Sequence, residues 1–182
     1  MSRRTQKIDT AVLEKPSIRR QAEFLEAARR SVKLHRRWVK PPSTVDEYLQ
    51  LLRRARAANR FSHFVCGPAG DLAGVINVNE IVRGAFDSGY LGFYAFVPHA
   101  GHGLMRAGLA LVIENAFRSY GLHRLEANVQ PDNVRSQGLV HSLGFRLEGY
   151  SPRYLRIAGK WRDHERWALT IEDWKVTRKR TS

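Results

Sequence analysis

Apolar residues recur at helical spacing, every three or four positions, in four segments of the chain. The first segment covers residues 21–39, and its apolar residues share one side: Phe24, Leu25, Ala28 and Val32. The two prolines at positions 41 and 42 end this helix, because the residue before a proline leaves the helical region. Residues 13–20, ahead of the helix, predict a short strand.

The second helical segment begins at a capping box formed by Thr44 and Glu47, a pairing in which side chains bond the unpaired backbone N–H groups. Four apolar residues at helical spacing are expected to be buried: Val45, Tyr48, Leu49 and Leu52. The opposite side presents Arg53, Arg54 and Arg56 to solvent.

The middle of the chain changes to the apolar runs that are typical of β-strands. Phe61–Cys66 and Leu72–Val82 predict two strands, joined by a turn of strong breakers at residues 67–71. Residues 90–97 predict a third strand. Short turns between successive strands indicate an antiparallel meander.

A glycine turn follows the third strand and leads into the third helical segment. Gly101 and Gly103 allow a close backbone approach, and the helix start offers unpaired N–H groups with about half a positive charge. A strand, a glycine turn and a helix N-terminus together predict a phosphate-binding site. The buried side of this helix is expected to consist of Leu104, Ala107, Gly108, Leu111 and Val112.

Gly121 closes this helix, and residues 123–130 predict a strand that follows it. A strand–helix–strand unit places the new strand parallel to the one at residues 90–97. Asn133 then opens the fourth helix, and residues 145–157 and 161–170 predict two final strands, the first kinked near Pro152. One α/β domain over residues 1–182, with ragged basic termini, is therefore predicted.

The composition adds a strong excess of positive charge. The 182 residues carry a formal net charge of +14, which favours polyanionic partners, with a merely solvated surface as the alternative. No apolar run reaches the length of about 18 residues that spans a membrane, and the N-terminus lacks the apolar stretch of a signal peptide. A cytoplasmic protein is therefore expected. Cys66 is the single cysteine, which excludes an intrachain disulfide, and we interpret it as a small buried hydrophobe.

Three sequence blocks and the order of elements resemble the GNAT family of acyl-CoA N-acyltransferases. The blocks are Gly-His-Gly-Leu-Met at 101–105, Asn-Val-Arg-Ser at 133–136 and Leu-Gly-Phe at 143–145. Blocks at 123–128, 143–150 and 159–164 resemble the RimJ-like branch, which acetylates protein N-terminal amines, typically of ribosomal proteins. Pro98 departs from the family pattern, since the glycine loop there begins with Gln or Arg. The resemblance implies the GNAT fold: a central mixed sheet of six to seven strands flanked by helices.

The resemblance also implies which residues bind acetyl-CoA. The diphosphate is expected at the backbone of Gly101, His102, Gly103, Leu104 and Met105, with positive charge added by His99, His102 and Arg106. The pantetheine arm is expected along the backbone of Phe96 and Val97, and Asn133 is expected to contact it as well as cap its helix. His99 and His102 predict no metal site, because no cysteine or acid lies near them in the sequence.

Two catalytic residues are predicted. By resemblance, Ser136 faces the thioester and protonates the departing thiolate, with an ordinary capping or solvent-facing serine as the alternative. Glu126 is the candidate base, because an acid among apolar strand neighbours is costly unless it is used. Glu80 is the reserve, and the alternative for either acid is exposure or pairing with an arginine such as Arg124. An α-amine with a pKa of about 7.7–8.0 is partly neutral at pH 7, so water passed to a carboxylate suffices.

The acceptor side of the site has weaker candidates. Trp38 is placed by resemblance at the acceptor mouth. Tyr94, Tyr150 and Tyr154 are candidates for lining the acceptor pocket, and ordinary packing explains each of them equally well.

The predicted function is direct transfer of acetyl, within a ternary complex, from acetyl-CoA to the N-terminal α-amine of a protein, with a ribosomal protein as the expected acceptor. Two alternatives stay open: an acetyltransferase for a small amine, and a non-catalytic RNA-binding module on the same scaffold. The net charge of +14 disfavours cationic small acceptors. Contact with ribosomal RNA is a hypothesis that rests on this charge alone, and the sequence is compatible with a monomer or a homodimer.

Overall fold

The computed structural model of the protein describes residues 11–181, with side chains from residue 11 to residue 177. The predicted ragged N-terminus at residues 1–10 and the side chains of the basic cluster at 178–180 lie outside this description. The strands are β1 Val12–Glu14, β2 Phe61–Cys66, β3 Leu72–Val82, β4 Ser88–Ala95, β5 Arg124–Val129, β6 Arg146–Ile157 and β7 Lys160–Thr170. The helices are α1 Gln21–Arg30, α2 Val32–His35, α3 Val45–Arg54, α4 Leu104–Arg118, α5 Val134–Ser142 and α6 Ile171–Thr181.

The strands form one mixed sheet in the order β1-β2-β3-β4-β5-β7-β6. Neighbouring strands are antiparallel except β4 and β5, which run parallel as the strand–helix–strand unit predicts. The parallel pairing runs only from Ser88 opposite Arg124 to Leu91 opposite Ala127. Beyond that pair the two strands part, and this gap positions the functional site.

Each face of the sheet carries its own apolar core. On one face, α4 buries Leu109 and Ile113 against the sheet. On the other, the fully buried Phe24 of α1 meets Tyr48 of α3 at a ring-centroid distance of 5.0 Å. Burying a side chain of this size contributes about 1.5–3 kcal/mol. Cys66 lies in this second core, fully buried, as the sequence predicts.

The helix predicted at residues 21–39 is interrupted at Ser31. This residue is 1% exposed, and its hydroxyl accepts a hydrogen bond from the Val97 backbone N–H at 3.0 Å. A tertiary contact of this kind overrides local helix propensity. The predicted strand at 13–20 is likewise shorter: β1 stops at Glu14, and Ile18–Arg20 forms a 3₁₀ helix.

Several other boundaries and faces differ from the sequence prediction. Val45 is exposed because α3 buries a narrower side than the pattern indicates, with Tyr48 at its centre. Leu111 is exposed because the buried side of α4 is rotated toward Leu109 and Ile113. The strand predicted at 90–97 is Ser88–Ala95, since its start pairs with β5. The C-terminal α6 was not predicted. Among the described residues, no helix combines the length and the apolar character needed to cross a membrane.

The predicted cap of α3 and the predicted kink of β6 are both confirmed. The Thr44 hydroxyl accepts from the Glu47 backbone N–H at 3.2 Å, and the Glu47 carboxylate in turn accepts from the backbone N–H of Ser43 at 2.7 Å. The register of β6 against β7 shifts between Ser151 and Leu155, next to Pro152.

Candidate active site

A cleft of about 1060 Å³ opens where β4 and β5 part. Its walls come from the ends of these two strands, the chain around α2, and the N-terminal parts of α4 and α5. Two contacts cross its mouth: Arg37 lies 3.5 Å from the Asp132 carboxylate, and the Gln130 side chain donates to the Arg37 carbonyl at 3.5 Å. The cleft is therefore bounded on several sides, as a site for an extended ligand requires.

The glycine turn and the start of α4 form one wall of the cleft. Gly101 and Gly103 have φ angles of +88° and +89°, and a Cβ atom on either would meet nothing within 4 Å. Only glycine adopts this backbone without strain. The first intrahelical bond of α4 runs from the Ala107 N–H to the Gly103 carbonyl at 3.0 Å, so the earlier N–H groups have no helical acceptor. This wall has the geometry of an anion site.

Only some of the residues predicted to bind the diphosphate lie in this wall. Met105 and Arg106 line the cleft, whereas Leu104 points into the core and offers only its backbone. His102 is exposed, and its N–H already donates to the His99 carbonyl at 3.3 Å. His99 pairs with Asp71 instead, its Nε2 lying 2.6 Å from the carboxylate.

The strand edge at the cleft lies slightly earlier than predicted. Phe96 is fully buried, and its N–H donates to Ala73 of β3, so the structure does not place it in the cleft. The Val97 N–H is taken by the Ser31 hydroxyl. Because backbone groups alternate in direction along an antiparallel strand, Phe93 and Ala95 are the residues whose N–H groups face the gap.

Asn133 and Ser136 lie together at the start of α5. The Asn133 carboxamide oxygen accepts from the Ser136 backbone N–H at 3.3 Å, which makes Asn133 the helix cap. Both side chains line the cleft. The structure thus brings the predicted proton donor to the same cavity as the glycine wall.

The two candidate bases occupy different places. Glu126 pairs with Tyr90 across the parallel strands, just before they part, and accepts a hydrogen bond from Arg124 at 2.9 Å. Tyr90 lines the cleft; burial raises its pKa, and the neighbouring Glu126 carboxylate adds to that rise. Glu126 itself lies beside this tyrosine on the neighbouring strand and is not among the residues that line the cleft. Glu80 is exposed at a bulge of β3 and lies outside the cleft lining.

Of the four residues predicted on the acceptor side, two line the cleft and two do not. Trp38 and Tyr94 line the cleft. Tyr150 is exposed and donates to the Asp163 carboxylate on the neighbouring strand. Tyr154 packs against His164, with ring centroids 6.3 Å apart, and His164 reaches the cleft lining.

Several polar residues of the cleft lining were missed from the sequence, among them His35, Asn79 and Asn128. The signal available was weak. Each of the two asparagines is a polar residue within a strand of the sheet, where burial is costly without a partner or a role. His35 gave no signal, because only the fold brings it to the end of β4, where its Nε2 lies 2.6 Å from the Ala95 carbonyl.

With this geometry in place, the comparison with known families decides the fold. Residues 12–146 match the acetyltransferase (GNAT) domain family. The chain belongs to the GNAT family. Acetyl-CoA is the co-substrate of this family, and the predicted fold is confirmed.

Curated relatives point to one branch of the family. The chain is 43% identical over 104 residues to the [Ribosomal protein uS5]-alanine N-acetyltransferase of Escherichia coli, covering 57% of this chain and 54% of that protein. It is 34% identical over 113 residues to the probable N-acetyltransferase YjcK of Bacillus subtilis, with 61% and 62% covered. The chain therefore matches little more than half the length of these relatives.

Solved structures agree with this placement. Mycobacterium smegmatis RimJ, in complex with CoA-disulfide, superposes with a TM-score of 0.81 at 26% identity, over 90% of this chain and 83% of that one. The Vibrio cholerae spermidine N-acetyltransferase in complex with CoA and spermine gives a TM-score of 0.78 at 18% identity, over 91% and 98%. The second likeness shows the fold alone. The predicted resemblance to the RimJ-like branch is supported by the first and by the relative from Escherichia coli.

Proposed function

We propose that this protein transfers the acetyl group of acetyl-CoA to the N-terminal α-amine of a protein, and that the acceptor is a ribosomal protein of the cytoplasm. The observation that carries the proposal is the cleft itself, in which an anion-binding glycine wall and a serine on α5 face an acceptor side with little negative charge. The 43% identity to a ribosomal-protein alanine N-acetyltransferase supports the choice of acceptor.

The residues of the chain fit acetyl-CoA as co-substrate. The unpaired N–H groups at the start of α4 suit a diphosphate, and Arg106 adds positive charge beside them. The N–H groups of Phe93 and Ala95, at the open edge of β4, suit the amides of a pantetheine arm. Asn133 lies on the opposite side of the same gap.

The chemistry requires a neutral amine and a stabilised leaving group. An α-amine is already neutral in about one molecule in seven at pH 7, so it attacks the thioester carbonyl with modest help. Its proton leaves through water toward Glu126, which lies beside Tyr90 on the neighbouring strand, or toward solvent. The Ser136 hydroxyl donates a proton to the departing thiolate and regains one from water, which completes the transfer.

The charge of the cleft supports a protein N-terminus over a polyamine. Among the described residues that line it, Asp132 is the one acid, and it lies 3.5 Å from Arg37. Lys33, Arg106 and Arg135 line the same cleft. A polycation would meet net repulsion there, whereas a peptide N-terminus brings a single charge that is lost before attack.

The experiment is a steady-state comparison of three acceptors with the full chain: an alanine-initiated peptide, an Nα-blocked peptide with one lysine, and spermidine. We expect the highest kcat/KM for the free α-amine. A higher kcat/KM for spermidine or for the lysine side chain would overturn the proposed acceptor.

Contact with ribosomal RNA remains a prediction. It rests on exposed basic side chains such as Arg53, Arg54 and Arg56 at the end of α3. If these residues dock on RNA, activity on ribosomal particles falls steeply with salt while activity on free peptide does not. Equal salt dependence for both acceptors would contradict docking by charge.

A further inference from the structure

Unsatisfied polar atoms concentrate in the cleft. Among the described residues, four buried side-chain atoms have no hydrogen-bond partner: His35 Nδ1, His63 Nδ1, Asn79 Oδ1 and Asn128 Oδ1. Three of these four residues line the cleft. A buried polar group without a partner costs about 1–3 kcal/mol, so such groups are rare in folded proteins. Because three of these residues line one cavity, we infer that a ligand supplies the missing hydrogen bonds.

The two asparagines share one face of the sheet, on either side of the strand that ends at the cleft. Asn79 of β3 lies opposite Tyr90 of β4, which in turn lies opposite Glu126 of β5. Asn128 is two residues beyond Glu126 and therefore points to the same face. Gly92 of β4 lies opposite Asn77 and diagonally across from Asn79, and a Cβ atom there would lie 3.2 Å from the Asn79 amide nitrogen. Glycine at this position leaves space beside the Asn79 carboxamide.

His35 brings a third acceptor atom to the same cavity. Its Nε2 lies 2.6 Å from the Ala95 carbonyl oxygen, which only accepts, so Nε2 carries the hydrogen. In the neutral ring Nδ1 is then a hydrogen-bond acceptor. The residue is 4% exposed, and burial lowers its pKa, which keeps the ring neutral.

We propose that Asn79, Asn128 and His35 form the acceptor subsite, and that it binds the α-amine and the first peptide N–H of the acceptor protein. All three unsatisfied atoms accept hydrogen bonds. A protein N-terminus offers matching donors: two N–H bonds on the neutral α-amine and a third on the first peptide bond. The subsite thus selects a peptide N-terminus over an isolated amine. This inference rests on the proposed function.

Leucine variants test the subsite, because leucine has the same branched shape and number of side-chain heavy atoms as asparagine and no polar atom. We expect Asn79→Leu and Asn128→Leu each to lower kcat/KM for an alanine-initiated peptide about tenfold. This is the effect of losing one hydrogen bond whose contribution lies near the upper end of the usual range. Their unfolding midpoints in urea should equal or exceed that of the wild type, since an unsatisfied group is removed. Thermal stabilisation by acetyl-CoA should be unchanged. Asn77→Leu is the matched control, on the same strand and face but outside the cleft lining, with kcat/KM expected within twofold of wild type.

A substrate change tests the same contact without altering the fold. An ester analogue of the peptide has oxygen in place of the first peptide N–H. We expect the wild type to use it about tenfold less well than the peptide, and one of the two leucine variants to show no further loss. If the wild type uses both substrates equally, or if both leucine variants keep wild-type kcat/KM, the subsite is wrong.

The subsite and the proposed function can fail separately. Acetylation of the wild-type acceptor at its α-nitrogen tests the proposed function. The ratio of variant to wild type on one and the same peptide tests the subsite.

Discussion

Replacing Gly103 by alanine probes the glycine wall with a small change of known geometry. The φ angle of +89° at this position costs any residue with a Cβ atom about 1–2 kcal/mol. The new methyl group meets no protein atom within 4 Å, so no clash adds to this strain. For a domain of this size, about 1–2 kcal/mol lowers the melting temperature by about 2–8 °C.

The larger effect is expected on acetyl-CoA binding. The methyl group would stand where the diphosphate approaches the backbone, and each charge-assisted N–H bond lost costs about 1.5–3 kcal/mol. Losing one or two such bonds weakens binding about a hundredfold. At a concentration of 100 times the wild-type dissociation constant, acetyl-CoA stabilises the wild type by about 2.7 kcal/mol, or about 5–11 °C. A variant that binds acetyl-CoA a hundredfold more weakly is stabilised at this concentration by only about 0.4 kcal/mol, which raises its melting temperature by about 1 °C.

Gly121→Ala is the matched control for this experiment. Gly121 also has a positive φ angle, +62°, and open space at its Cβ position, and it follows the other end of α4 outside the cleft lining. Without ligand, both variants should melt at a lower temperature than the wild type. Only Gly103→Ala should lose the rise in melting temperature that acetyl-CoA causes. Full retention of the shift by Gly103→Ala would refute the assignment of this wall to the diphosphate.

Three further substitutions test the catalytic and electrostatic assignments. Ser136→Ala should lower kcat about 10–100-fold with little change in acetyl-CoA binding, because its backbone cap survives; an unchanged kcat excludes it as proton donor. Glu126→Gln should slow turnover chiefly at low pH, where less free amine is present, and a wild-type pH profile would assign the base to water. Hydrogen bonds from Arg124 hold the pKa of Glu148 below its ordinary 4.5, so this pairing stabilises the fold above that pH and is lost as the pH falls through the folded value. Urea unfolding should therefore show Glu148→Gln less stable than wild type at pH 7, by about 0.5 kcal/mol for a partly exposed pair. The difference should close as the pH falls below 4.5, and a constant difference would count against the assignment.

The elements that were predicted from the sequence are those fixed by local chemistry. β2 and β3 have their predicted bounds, because breakers at residues 67–71 separate two apolar runs. The glycine turn was predicted because positive φ angles demand glycine. The break at Ser31 could not be predicted, since it depends on a hydrogen bond to Val97, far along the chain.

The site shows the same division. Residues on one continuous segment, such as Asn133 and Ser136, reached the cleft as the resemblance implies. The sequence predicted less well which residues lie where the strands part. The open edge of β4 lies at Phe93 and Ala95, whereas the prediction placed it at residues 96–97. His35 reaches the cleft through a contact between α2 and the end of β4, which no local pattern encodes.

The most direct test of the central claim is one reaction that contains acetyl-CoA and an unmodified, alanine-initiated ribosomal protein with its lysines intact, together with spermidine. Fragmentation of the labelled protein by mass spectrometry locates the acetyl group. We predict a single acetyl group on the α-nitrogen and unmodified spermidine. Label on lysine side chains or on spermidine, with an unmodified protein N-terminus, would contradict the account.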